Sequence, residues 1–184
     1  GQLLQWNETL RSKGLKVVGH TLVPDDGVSE SVAEPVHRHR TALRRTGLST
    51  PMQALLRHGF LDGRDSIFDY GCGLGDDLAT LGEMGLNAAG WDPHFRPDGT
   101  RVAADVVNLG FVLNVIENMS ERREALSNAF TLARKVLSVG VLIGGRTAYE
   151  RFRLYRDGVL TGRGTFQKYF TQDELHAYIE AVCG

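Results

Sequence analysis

Apolar residues along the chain follow two rhythms, and the switches between them outline an alternating α/β fold. Residues 66–70 (Ser-Ile-Phe-Asp-Tyr), 88–92 (Ala-Ala-Gly-Trp-Asp), 105–111 and 139–143 are short, strand-like runs. Between them, residues 76–84 place Leu78, Leu81 and Met84 at helical spacing. Residues 120–137 form the clearest long helix: Ser120 caps it, Glu121 and Glu124 suit its first turn, and Leu126, Phe130, Ala133 and Leu137 supply a buried stripe. Ser49 and Pro51 mark the start of a helix over 52–58, with Gly59 as its stop. Thr171 and Glu174 make a capping box for a last helix over 174–182. Residues 34–45 are also predicted helical. Residues 146–163 read as an insertion over the strand ends, with a hairpin turn at Asp157-Gly158.

Ahead of these elements, residues 1–35 form an N-terminal appendage or lid. Leu3, Leu4, Trp6 and Leu10 predict a short helix, residues 15–19 a strand, and Pro24 to Gly27 a turn. Strands alternating with helices predict a mostly parallel sheet. That sheet is short. Only about a dozen residues separate Asp92 from the next strand, whereas a full βαβ unit takes ~30, so one strand of the usual doubly wound sheet is expected to be missing.

The chemistry concentrates where the first strand meets the first helix. Residues 68–77 (FDYGCGLGDD) place Gly71, Gly73 and Gly75 on alternate positions between them. Glycine tolerates positive φ and has no Cβ to obstruct a ligand, and doubly wound folds bind ligands at the carboxyl ends of their strands. The second strand ends in Asp92, seventeen residues past Gly75. At that distance a carboxylate can accept both hydroxyls of a ribose lying over the turn; the competing reading is an Asp-Pro turn through Asp92-Pro93. Nicotinamide dinucleotides and S-adenosylmethionine share this layout. The dinucleotide fingerprint, however, is G-x-G-x-x-G and seats a pyrophosphate on the helix N-terminus. Here the spacing is G-x-G-x-G, and Asp76 and Asp77 open the helix. Two carboxylates there suit the helix dipole but repel a pyrophosphate. A cationic sulfonium is the better match.

With these residues in place the chain resembles the class I S-adenosylmethionine-dependent methyltransferases. Asp69-x-Gly71-x-Gly73-x-Gly75 matches their first motif, and Asp92 matches the acid closing their second strand. More narrowly, it resembles the DNA phosphorothioation-associated methyltransferase family. That resemblance runs over about residues 36–180, through His37 to Leu43, FDYGCGLGDD, Gly90 to Pro93, residues 104–117 (ADVVNLGFVLNVIE) and residues 164–170 (GTFQKYF). It implies a Rossmann-like fold with N-terminal helices over the site, and a domain over 36–184 that is a fragment lacking the final strand pair. It implies a cofactor site made by Asp69, Tyr70, Gly71, Cys72, Gly73, Gly75, Asp92, Pro93, Asn108 and Leu109. Asn108, Leu109, Asn114 and Glu117 stand where methyltransferases place residues beside the transferring methyl. Asn114 could equally satisfy loop backbone, and Glu117 could cap the next helix. Gln167, Lys168, Tyr169 and Phe170 are placed to stack on or hydrogen-bond a substrate, or simply to pack. Asn114, Glu117 and Tyr169 are the catalytic candidates.

Two departures qualify the resemblance. The acid that usually follows the missing strand and holds the adenine amine has no counterpart. Asn-Leu-Gly-Phe at 108–111 stands where DNA amino-group methyltransferases carry Asp/Asn-Pro-Pro-aromatic, so base amino methylation is not implied. A non-catalytic, cofactor-binding or nucleic-acid-associated module is the alternative; nicotinamide chemistry is disfavoured by the glycine spacing.

Composition narrows the partners. With 184 residues and a formal charge of −1, the chain has no global field to draw in a polyanion. Arg38, Arg40, Arg44 and Arg45 offer a local phosphate-binding cluster, or else a solvated basic surface. His37 and His39 lack the further ligands a metal needs, so no metal is expected. Cys72 and Cys183, the two cysteines, give no disulfide framework. No membrane span or signal peptide is visible, and a cytoplasmic protein is expected.

Overall fold

Alternation along the strands sorts the core into two layers, one on each face of a central sheet. The computed structural model describes residues 15–18, 21–24, 36–144, 149–150 and 152–184. The chain divides into two units, residues 1–35 and 36–184. In the first, β1 (Leu15–Val18) pairs antiparallel with β2 (Thr21–Pro24). The helix expected around Leu3 to Leu10 and the turn residues 25–27 lie outside the described residues.

The second unit is built on β3 (Ile67–Tyr70), β4 (Ala88–Trp91), β5 (Ala104–Gly110) and β6 (Ala133–Gly140), all parallel, in the order β4-β3-β5-β6. Its helices are α1 (Thr50–Arg57), α2 (Asp76–Glu83), α3 (Met119–Leu132) and α4 (Gln172–Cys183). Successive strand residues face opposite ways. Ile67 of β3 and Val106 of β5 therefore join Met52, Leu55 and Leu81 beneath α1 and α2. Phe68, Val107 and Leu109 join Leu126, Ala129 and Phe170 beneath α3 and α4. The same register sets Asp69 beside Asn108 at the strand ends, on the α1/α2 face.

Strand order reverses between β3 and β5, since β4 lies on one side of β3 and β5 on the other. Such a switch point leaves a crevice at the carboxyl ends of the strands. The link from β4 to β5 contains turns and no helix or strand, so β3 is the one sheet partner of β4 among the described residues. This matches the shortened sheet read from the spacing.

Four sequence expectations need correction. The buried strand expected over 139–143 is only the end of β6, which stops at Gly140 and leaves Leu142 and Ile143 exposed. The helix expected over 120–137 ends at Leu132, and Ala133 opens β6 directly. Pairing wins over helical periodicity here: Val136 and Leu137 sit opposite Val106 and Val107 in the ladder. Phe130 is consequently 47% exposed, and the buried face runs through Arg122, Ala125, Leu126 and Ala129. The cap is Asn118, whose side chain accepts from the backbone N–H groups of Ser120 and Glu121, in place of Ser120 itself.

The helix expected over 34–45 is not formed among the described residues. There, Arg38–Thr41 forms a single 3-10 turn and residues 42–45 are irregular. Two backbone N–H groups of the following stretch are taken by carboxylates of α2: Arg45 N–H by Asp76 (2.7 Å) and Ser49 N–H by Asp77 (2.6 Å).

The hairpin turn is displaced by one residue. β7 (Arg153–Tyr155), β8 (Gly158–Leu160) and β9 (Phe166–Gln167) form a small antiparallel sheet, and Tyr155 pairs with Gly158. The two-residue loop is thus Arg156-Asp157, with Arg156 left-handed at φ 51°. Residues 146–148 and 151 of the expected insertion lie outside the described residues.

Candidate functional site

The glycine turn emerges from β3 into the switch-point crevice. Gly71 N–H and Cys72 N–H both donate to the Trp91 carbonyl, at 2.8 and 3.1 Å, which ties the turn to the end of β4. Gly71 is left-handed at φ 83°, and a Cβ there would collide with the Val112 side chain. No other residue type fits.

Asp92 secures the turn from the other side. Its Oδ2 accepts from Gly73 N–H (3.1 Å), while its Oδ1 accepts from His94 and Phe95 N–H (both 2.9 Å). The Asp-Pro turn reading is therefore realised. It does not displace the ligand reading, because a carboxylate has about four acceptor sites and Asp92 still lines the cavity.

The floor of the crevice is polar and buried. Asn108 Nδ2 donates to Asp69 Oδ1 at 2.8 Å, and Asp69 is 4% exposed. Burial pushes the Asp69 carboxyl up to about 7 against the lowering effect of Asn108, with Asp77 and Asp92 adding to the rise. Asn108, 1% exposed, leaves its own Oδ1 without a partner. A buried acceptor left unpaired costs about 1–3 kcal/mol, so a donor arriving there is stabilised. Burial also pushes the Cys72 thiol up to about 12. It stays protonated and is no nucleophile.

The cavity above this floor measures about 190 Å³. Asp69, Gly71, Cys72, Gly73, Asp92, Pro93 and Asn108, all anticipated from sequence, line it together. The other anticipated residues stand elsewhere. Tyr70 is buried in the core with its ring 5.2 Å from that of Trp91, and Leu109 is wholly buried. Gly75 is the left-handed N-cap of α2, facing the Arg96 guanidinium. Asn114 is buried beside the small sheet, its carbonyl accepting from Lys168 N–H at 2.8 Å and its Oδ1 unpartnered. Glu117 accepts Arg38 Nε and Nη2 at 2.7 and 2.8 Å. Burial disfavours its charge, but the Arg38 hydrogen bonds outweigh that and hold its carboxyl below the usual range. Tyr169 packs edge-on to Tyr149, whose hydroxyl donates to the Tyr169 carbonyl. Lys168 is buried between Asp157 and Glu174, beneath the Phe170 ring.

The resemblance implies an N-terminal segment over the site, and Arg38, His39, Thr41, Ala42, Leu43 and Arg45 of that segment do line the opposite wall, as a 3-10 turn and irregular chain in place of a helix. Sequence reasoning missed His94 and Phe95, which follow Asp92 and also line the cavity. The His39 and His94 rings stack across the mouth at 4.6 Å. A signal existed for His94, which stands two residues past Asp92 in a turn that folds back over the loop; the wall's form is decided by partners remote in sequence. The basic cluster is largely paired within the chain: Arg38 with Glu117 and Glu121, Arg44 with Asp76 (3.8 Å) and Arg45 with Asp77 (3.6 Å). Among the described residues no group of His, Cys, Asp and Glu is arranged to hold a metal, and no helix is long and apolar enough to cross a membrane.

Parallel strand order, the glycine turn and the acid ending β4 together define a Rossmann-like class I methyltransferase fold with a shortened sheet. Several solved structures share it, including two methyltransferases. One is the crystal structure of Burkholderia thailandensis 1,6-didemethyltoxoflavin-N1-methyltransferase with bound 1,6-didemethyltoxoflavin and S-adenosylhomocysteine, at 18% identity and a TM-score of 0.53, covering 72% of this chain. This chain spans 65% of that one. The other is the CcbJ methyltransferase from Streptomyces caelestis, at 15% identity and a TM-score of 0.50, covering 74% of this chain and 79% of that one. No protein-family model matches the chain, and no curated protein matches it in sequence.

Proposed function

We propose that this chain is an S-adenosylmethionine-dependent methyltransferase. The observation that carries the reading is the unpartnered, buried Asn108 Oδ1 beside Asp69 at the foot of the glycine turn. Two adjacent buried acceptors suit an ammonium group, which the amino-acid end of this cofactor has. Asp92 has the acceptor capacity for the ribose hydroxyls. Asp69, Asp76, Asp77 and Asp92 outnumber Arg38 and Arg45 in the cavity lining, and two of the acids stand at the N-terminus of α2, an environment that favours a sulfonium over a pyrophosphate.

When bound, the cofactor supplies an electrophilic methyl group whose leaving thioether needs no acid. The chain's own residues then bind and orient. Asp69 and Asn108 fix one end, Asp92 fixes the ribose, and Phe111, Val112, Val115 and Ile116 give an apolar side that excludes water. Holding a nucleophile in line at near contact is the main catalytic device such a reaction needs. Thermal unfolding tests the reading: either S-adenosylmethionine or its demethylated product raises the midpoint by mass action, reduced nicotinamide cofactor does not, and Asp92→Ala removes the rise. No shift with either ligand would overturn it.

The narrower resemblance links the activity to DNA modification, with Arg40 and the 83% exposed Arg44 side chain as the outward phosphate contacts. Both cysteines are free, which fits a cytoplasmic setting. A second reading is favoured by one observation: Asn114, Glu117 and Tyr169 are all engaged structurally outside the cavity lining. On that reading the chain binds the cofactor without transferring methyl. Tight binding with no transfer across a broad acceptor panel would select it.

A further inference from the structure

Residues 38–45 form the outer wall of the cavity, and the apolar anchor of the segment 36–48 to the core is Leu48, at its α1 end, packed against the cluster beneath α1 and α2. None of these residues is buried, and Leu43 is 60% exposed. By contrast, α1 immediately after them buries Met52 and Leu55 at 0% and 5% exposure. The wall is a strap, stitched on by polar contacts at three points.

At one end, backbone N–H groups of Arg45 and Ser49 donate to Asp76 and Asp77, and Asp77 is itself buried. This end runs straight into α1 and is the fixed one. At the other end, Arg38 donates Nε and Nη2 to Glu117 and Nη1 to Glu121 (2.5 Å). One backbone bond, from His37 N–H to the Gly164 carbonyl (3.0 Å), accompanies it. Between the two, His39 meets His94 ring to ring across the mouth. Arg156 Nη1 donates to the Glu117 carbonyl at 3.2 Å, steadying the acid from the small sheet.

A segment with few buried apolar contacts and exposed polar ties belongs to the least stable part of a fold, from which lids are drawn. We propose that the strap over 36–48 opens at its Arg38 end to admit and release the cofactor, and that the Arg38–Glu117 pair is the latch setting the rate of that exchange. The proposal rests on the cofactor reading above. It makes Glu117 a positioning residue that acts through Arg38, in place of the catalytic role its sequence position implies.

The test is stopped-flow displacement of S-adenosylhomocysteine from the full chain, paired with amide hydrogen exchange. A charged hydrogen-bonded pair of this kind justifies an expected rise in dissociation rate of about ten-fold in Glu117→Gln. The rise is accompanied by faster exchange at residues 37–45 and unchanged exchange in β3 and α1. Raising salt speeds release from the wild type more than from Glu117→Gln. Glu117→Asp, which keeps the charge, speeds release less than Glu117→Gln. Wild-type protein that binds the ligand, with a dissociation rate unchanged in Glu117→Gln, overturns the latch alone. Faster exchange spread evenly through the core also overturns it, because Glu117 then supports the whole fold. Folded wild-type protein that binds no S-adenosylhomocysteine overturns the cofactor reading and the latch with it.

Discussion

Asp69 is the residue on which most of the site's behaviour turns. Burial pushes its carboxyl up to about 7, Asp77 and Asp92 adding to the rise against the hydrogen bond that Asn108 donates to it. An ammonium brought against it favours the ionised form. Cofactor binding below about pH 7 is therefore expected to release a proton, and affinity to fall as pH drops through that value, by up to about ten-fold per pH unit. Calorimetry in buffers of different ionisation enthalpy checks this, and Asp69→Asn should abolish the proton release. The same shift acts on folding. A carboxyl raised in the folded state contributes stability that is complete below its ordinary 3.8 and lost as pH rises through about 7. Asp69→Asn should accordingly flatten the fall in denaturation midpoint between about pH 4 and about pH 7. Asp69, Asp92 and the glycines were legible because their spacing follows from the turn's own geometry. The partner that defines Asp69, Asn108, was legible as a candidate and not as a contact, since the β3–β5 register decides it.

At the scale of elements, legibility followed how local each element's stabilisation is. β3, β4 and β5 were readable from alternation, and α1 from Ser49, Pro51 and Gly59. The junction of α3 and β6 was not: Ala133 and Leu137 fit a helical stripe as well as a strand, and pairing with β5 chooses the strand. The strap was misread as a helix because its partners, Asp76, Asp77, Glu117 and Glu121, are remote in sequence. Two predictions belong here. Asn118→Ala removes the side chain capping α3 and should cost about 1 kcal/mol in chemical denaturation. Arg122, 3% exposed, donates to Asp157 and to the Ile116 carbonyl, fastening the β7–β8 hairpin to α3. Asp157→Ala leaves that guanidinium buried and unpaired, with an expected loss of about 3–5 kcal/mol.

For the molecule as a whole, the fold places a small acidic crevice at the one point where strand order reverses, and closes it with a strap tied down by charges. The sheet's shortness was visible in the brief link after Asp92. The acceptor side was not, because residues beside a transferring methyl need only hold a shape, and shape has no motif. If the acceptor is nucleic acid, its contact runs through Arg40 and Arg44. Replacing both with alanine should then weaken oligonucleotide binding and shallow its logarithmic salt dependence by about 1.8; an unchanged slope removes the nucleic-acid link. The central claim is that Asp69 and Asn108 await a cationic amino-acid group at the foot of the glycine turn. Calorimetric titration of the folded chain with S-adenosylhomocysteine at pH 8, alongside Asn108→Leu, tests it most directly. The account predicts one ligand per chain, with binding lost in the variant while the fold persists; no heat with wild-type protein, or equal affinity in Asn108→Leu, would contradict it.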